Sequence, residues 1–93
     1  MIKSFACRHT EALFARRPGK RFGPDVQKAA LRKLLQLDAA TRLETLNVPP
    51  GNRLEALRGD RKGQHSMRVN DRWRLCFRWQ DGHAFEVEIA DYH

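Results

Sequence analysis

With 93 residues, 18 Lys and Arg against 11 Asp and Glu, a net charge of +7 and a pI near 10.3, the chain fits one domain (1–93) with a single modest core and favours nucleic acid over a membrane surface as its anionic partner. A hydrophobic fraction of 41% excludes disorder throughout, and no apolar run approaches the ~20 residues of a membrane-spanning helix. The opening Met1-Ile2-Lys3-Ser4-Phe5 lacks the apolar region of a signal peptide, so the expected location is the cytoplasm.

Residues 2–7 read as a first strand anchored by Ile2 and Phe5. Residues 9–16 set Ala12, Leu13 and Phe14 among polar side chains as a brief helix, ended by the Arg17-Pro18-Gly19 breaker. Pro24 suits a first helical turn and Asp25 complements its dipole, after which Val26, Ala30, Leu34 and Leu37 form a helix-period stripe that Leu31 and Leu35 widen. Residues 38–46 allow another helical turn, and Val48-Pro49-Pro50-Gly51-Asn52 is a loop.

Beyond the loop the period changes to two. Residues 53–58 predict a strand, 59–63 a polar turn, and 65–69 a strand with Met67 and Val69 on one face; Asn70-Asp71 is a two-residue connection of types that tolerate positive φ. The clearest strand follows, with Trp73, Leu75, Phe77 and Trp79 on a buried face and Arg72, Arg74, Cys76 and Arg78 on a wet, basic one. Asp81-Gly82 turns the chain into Phe85, Val87 and Ile89, alternating with Glu86 and Glu88. These elements predict an α+β fold, N-terminal helices packed on an antiparallel sheet.

Cys7 and Cys76 read as buried thiols, and with His9, His65, His83 and His93 they form no CxxC or HExxH spacing, so neither a metal nor a cofactor is expected. The segment from 53 to 78 is dense in cations: Arg53, Arg58, Arg61, Lys62, Arg68, Arg72, Arg74 and Arg78, opposed by Glu55, Asp60 and Asp71. Arg68, Arg72, Arg74 and Arg78 can share the sheet face opposite the core; a solvated strand face is the plain alternative, but guanidinium forks match phosphate geometry. Trp73 and Trp79 belong to the core by alternation, whereas Tyr92 falls outside it and is available to a base or a phosphate. Metal-independent RNA cleavage needs a base for the 2′-hydroxyl, an acid for the 5′-oxygen and cations for the transition state. His93, Tyr92, Asp91 and Glu55 can handle protons, and Arg74 and Arg58 can supply charge.

The block Gly59-Asp60-Arg61-Lys62-Gly63-Gln64-His65-Ser66-Met67-Arg68-Val69-Asn70-Asp71-Arg72-Trp73-Arg74, the closing Asp91-Tyr92-His93 and the opening Met1-Ile2-Lys3-Ser4-Phe5 together resemble the HigB family of toxins, in the RelE/ParE superfamily. The resemblance spans essentially the whole chain. It implies a compact microbial-RNase-type fold and a ribosome-dependent mRNA endonuclease acting in the A site. It also implies a HigA-like helix-turn-helix antitoxin, whose complex with the toxin contacts operator DNA. Family site residues carry over onto Asp91, Tyr92, His93 and Arg74, while the charge pattern itself marks Arg53, Arg61, Lys62, Arg68, Arg72 and Arg78 as the expected RNA-binding surface. Where some relatives have a His and a Lys three residues apart before the G-D turn, this chain has Glu55 and Arg58, which keeps the cation but exchanges an imidazole for a carboxylate. The competing expectation is a non-nucleolytic toxin that binds the ribosome or gyrase through the same basic surface.

Overall fold

The computed structural model describes residues 1–17 and 19–91, so Pro18 and the sequence-predicted site residues Tyr92 and His93 lie outside the described residues. Two helices, α1 (Arg8–Phe14) and α2 (Pro24–Ala39), precede four strands, β1 (Glu55–Ala56), β2 (His65–Arg68), β3 (Trp73–Gln80) and β4 (His83–Asp91). The strands form one antiparallel sheet in sequence order, with both helices in contact with β4 on one side.

Helix α2 starts where Pro24, whose ring fixes a helical φ, follows an extended Gly23, and it buries Ala30, Leu34 and Leu37. Leu35 departs from the expected stripe: at 43% exposure it points to solvent. The buried face of α2 meets Met67, Leu75, Phe77, Val87 and Ile89 of the sheet. Helix α1 is tied to the sheet by Thr10, fully buried, whose hydroxyl accepts a hydrogen bond from the Ile89 amide at 3.0 Å. Phe22 packs edge-on against Trp73 with centroids 5.3 Å apart, and Arg21 and Arg72 lie over the same indole.

Residues 2–7 do not make the predicted strand. They form two isolated parallel bridges to β4, Ile2 with Ala84 and Phe5 with Val87. The cause lies in β4, where Glu86 adopts φ 53° and inserts one extra residue opposite β3, so the register shifts between Cys76 and Arg78. Ser4 Oγ accepts from the Glu86 amide at 2.9 Å, so the N-terminal segment satisfies the backbone that the bulge displaces. The extra residue also resets the alternation. Ala84, not Phe85, is the fully buried partner on the Trp79 side of the ladder, and Phe85 is only half-buried.

Two other expectations shift. The strand expected over 53–58 contracts to Glu55–Ala56, because Arg53 takes a left-handed conformation (φ 46°, ψ 59°) and the chain turns at Arg58 into a 3-10 helix, Gly59–Arg61. The 70–71 connection has no positive φ; Asn70 Oδ1 instead accepts from the amides of Arg72 and Trp73, at 2.9 and 2.7 Å. At Asp81-Gly82 both residues do have positive φ, 53° and 80°, the type I′ turn that suits a two-residue hairpin.

The helical turn expected within 38–46 is a 3-10 helix, Leu43–Asn47, and the following loop turns inward at Asn52. This buried side chain donates through Nδ2 to the carbonyl of Leu46 (2.9 Å) and to Gln36 Oε1 (3.0 Å), and its Oδ1 accepts from Lys33 Nζ. Burial, then the neighbouring Arg32 and Arg68, push the Lys33 pKa below the ordinary lysine value. Asn52→Ala strands the Leu46 carbonyl and the Lys33 ammonium, and should cost about 1–3 kcal/mol. A lowered urea midpoint at unchanged m-value is the expected result, and an unmoved midpoint would contradict it.

Candidate active site

The sheet face turned away from the helices is not the open basic strip that alternation predicts. Arg74 is only 8% exposed and Cys76 fully buried. Across this face run two rows set by strand register: Glu55, Ser66, Cys76 and Glu88, then Arg68, Arg74 and Ala90. The cover comes from the turn after β1. Arg61 reaches Glu88 on β4 at 2.8 Å and Gln64 at 3.1 Å, so the turn closes over Cys76. Gly63 lets the chain double back at φ 93°, where a Cβ would come within 2.7 Å of the Arg78 guanidinium.

Acids answer most of the arginines. Arg68 pairs with Asp71, Arg78 with Glu86, and Arg72 with Asp91 at 2.9 Å. Their charge is therefore partly compensated, a correction to the wet basic face. Arg53, Arg58 and Lys62 remain as exposed cations.

Arg74 differs in its setting. Its Nε donates to Ser66 Oγ at 3.0 Å, and its Nη2 donates to the same oxygen at 2.8 Å and to the Arg53 carbonyl at 2.7 Å. These acceptors are neutral; the nearest carboxylate of the first row, Glu55, stands 3.9 Å from Nη2. Glu55 and Arg58, with Ala56 and Leu57, line an open cavity of about 530 Å³. The structure thus sets Glu55 beside Arg74 and, with Arg58, in the lining of one cavity. Asp91, at the end of β4 opposite Trp73, is engaged by Arg72 through both Nε and Nη2. A second depression, about 350 Å³ between α1 and α2, is lined by Leu13, Arg16 and Leu31 among others and by none of the sequence-predicted site residues.

Ser66 is the residue that sequence reasoning passed over. A single serine in a strand carries no periodic signal; only its register, diagonal to Arg74, exposes its part. Cys76 is its partner across the ladder, and burial pushes the thiol pKa up against the opposing effect of Arg61. The unfolded chain gives up this proton at the ordinary thiol value while the fold retains it, so ionisation favours unfolding and stability falls as pH rises above that value. Held neutral and buried, Cys76 should resist iodoacetamide in the native protein and react freely in denaturant. Comparable rates in both states would show that the face opens.

Among the described residues no group of three or more His, Cys, Asp or Glu is placed to hold a metal ion, and no helix is long and apolar enough to cross a membrane. The chemistry available is that of arginine and carboxylate at an open cavity beside a basic rim.

Two helices laid on one face of a four-stranded antiparallel sheet make a fold that other solved chains share. It matches solved YoeB-YefM complexes from Staphylococcus aureus with a TM-score of 0.57 at 19% identity, over 100% of this chain and 98% of the matched chain. Sequence narrows the class: the family model for the "RelE-like toxin of type II toxin-antitoxin system HigB" matches residues 3–93, and the chain belongs to that HigB-like family. Toxin HigB-1 of Vibrio cholerae serotype O1 is 51% identical over 64 residues, 69% of this chain and 67% of that protein. Endoribonuclease HigB of Proteus vulgaris is 34% identical over 95 residues, 100% of both chains.

Proposed function

We propose that this toxin is a ribosome-dependent mRNA endonuclease that cleaves by metal-independent transesterification in the A site. The observation that carries the reading is that buried Arg74 lies 3.9 Å from the carboxylate of Glu55, which itself lines an open cavity. Membership of the HigB-like family and full-length similarity to a protein named as an endoribonuclease support it.

In the proposed reaction the mRNA 2′-oxygen attacks the adjacent phosphorus while the bond from phosphorus to the 5′-oxygen breaks. Glu55 takes the 2′-hydroxyl proton; it is the better placed carboxylate, because Asp91 is held by Arg72. Arg74 and Arg58 stabilise the charge that builds on the phosphate oxygens. His93 protonates the departing 5′-oxygen, Tyr92 stacks on or orients the nucleotide, and Asp91 orients the tail. The products are a 2′,3′-cyclic phosphate and a 5′-hydroxyl, so atoms and protons balance without a metal.

The rest of the cationic surface, Arg53, Arg61, Lys62, Arg68, Arg72 and Arg78, holds the RNA backbone. Each phosphate contact to single-stranded RNA contributes about 0.7 to the slope of log affinity against log salt. Lys62→Ala, at an exposed position, should lower that slope by roughly this amount for an RNA oligonucleotide. An unchanged slope would remove Lys62 from the RNA contact.

As a toxin of a type II system the chain is paired with an antitoxin, proposed here to be a HigA-like helix-turn-helix protein encoded beside it, through which alone the complex contacts operator DNA; both act in the cytoplasm. Induction of the toxin in growing cells, followed by mapping of transcript ends and assay for DNA breaks, tests the reading. In-frame breaks in translated mRNA are expected. Intact transcripts with DNA damage would instead identify a gyrase poison.

A further inference from the structure

We propose that Ser66 is a positioning residue for cleavage that acts through Arg74, an inference that rests on the nuclease reading above. Ser66 is fully buried on β2, and its hydroxyl oxygen receives both the Nε and the Nη2 protons of Arg74, at 3.0 and 2.8 Å. A hydroxyl oxygen has two acceptor lone pairs, and both are used here. The second Nη2 proton goes to the Arg53 carbonyl at 2.7 Å. Three of the five guanidinium protons are therefore fixed, two on the Nε–Nη2 edge and one beyond it, which sets the plane of the fork.

The Arg53 carbonyl is brought there at a cost. Arg53 holds φ 46° and ψ 59°, a left-handed conformation that disfavours a side chain with a Cβ by roughly 1–2 kcal/mol. Strain at this place, two residues before Glu55, turns the backbone so that one carbonyl meets Arg74 and the following strand brings Glu55 to 3.9 Å from the same nitrogen. Ser66 closes the other side. Both clamp groups are neutral, so what fixes this edge of the fork is a hydroxyl and a carbonyl, whereas Arg72 and Arg78 are fixed by carboxylates.

The test is single-turnover cleavage of mRNA on programmed ribosomes by the full chain, its Ser66→Ala variant, Arg74→Lys and the double variant, with urea midpoints for each. Ser66→Ala should lower the cleavage rate between about 10- and 100-fold, the effect of a catalytic group misplaced by about an ångström, with little change in half-saturating concentration. In the Arg74→Lys background the same substitution should cause little further loss, because its effect passes through the guanidinium. In [15N]arginine spectra the Arg74 Nε proton should exchange with solvent faster in Ser66→Ala than in the parent chain. A Ser66→Ala rate equal to the parent's, an equal loss in both backgrounds, or unaltered Arg74 exchange would each overturn the positioning role. A parent chain that leaves mRNA intact would overturn the nuclease reading itself, and with it the role assigned to Ser66.

Discussion

Replacing Arg74 with alanine is expected to slow cleavage of ribosome-bound mRNA by about 10²- to 10³-fold, the loss seen when one preorganised group that stabilises transition-state charge is removed. Arg74 is 8% exposed, so its charge acts where solvent screening is weak, and its direction is set before substrate arrives. Arg74→Lys should not restore the rate. An ammonium on a flexible stem cannot engage Ser66 Oγ through two parallel donors and the Arg53 carbonyl while presenting a further donor in a fixed plane. Either change leaves the buried Ser66 hydroxyl and the Arg53 carbonyl short of a partner, which costs about 1–3 kcal/mol of stability. Cleavage must therefore be compared below the unfolding transition of each variant, with the urea midpoint as control. A folded Arg74→Ala chain that cuts at the parental rate would take Arg74 out of the chemistry.

Deleting Tyr92 and His93 should have an effect at least as large, about 10²- to 10⁴-fold, because it removes the proposed general acid. The fold should tolerate the cut. Strand β4 reaches Asp91, which is paired in register with Trp73 and held by Arg72 at 2.9 Å, and both of these anchors survive the deletion. The urea midpoint should stay close to that of the full chain while cutting is lost. His93→Gln separates the two residues: it should reproduce most of the deletion's effect if the imidazole supplies the proton. Undiminished cutting by the truncated chain would exclude the tail from the mechanism.

How far these features were legible in the sequence depends on whether one strand or helix decides them alone. The α2 stripe of Ala30, Leu34 and Leu37, and the β3–β4 hairpin with its Asp81-Gly82 turn, are set by local periodicity and turn chemistry, and they read directly. The bulge at Glu86 does not, since nothing in Phe85-Glu86-Val87 marks an inserted residue; it is stabilised by Ser4, 82 positions away. The same holds for the buried far face. Alternation correctly separates Arg74 and Cys76 from Leu75 and Phe77, yet only the turn bearing Arg61 decides that the second face is covered as well.

The site divides along similar lines. Arg74, Glu55 and Arg58 stand out by residue type and family resemblance; the fold sets Glu55 3.9 Å from Arg74 and lines a cavity with Glu55 and Arg58. The shared basic face expected for Arg68, Arg72, Arg74 and Arg78 is partly compensated, because Asp71, Asp91 and Glu86 answer three of them across loops and strands. Ser66 and the left-handed Arg53 stayed hidden because their contribution lies in a hydroxyl and a carbonyl, not in a charge or a repeat.

The central claim, a chain of this family that cuts mRNA on the ribosome with its own side chains, is tested most directly by incubating the purified toxin with ribosomes programmed with a defined mRNA and mapping the ends formed. The account predicts discrete breaks at A-site codons that carry 2′,3′-cyclic phosphate and 5′-hydroxyl ends and require the ribosome. Intact mRNA on arrested ribosomes, or ends bearing a 5′-phosphate, would contradict it.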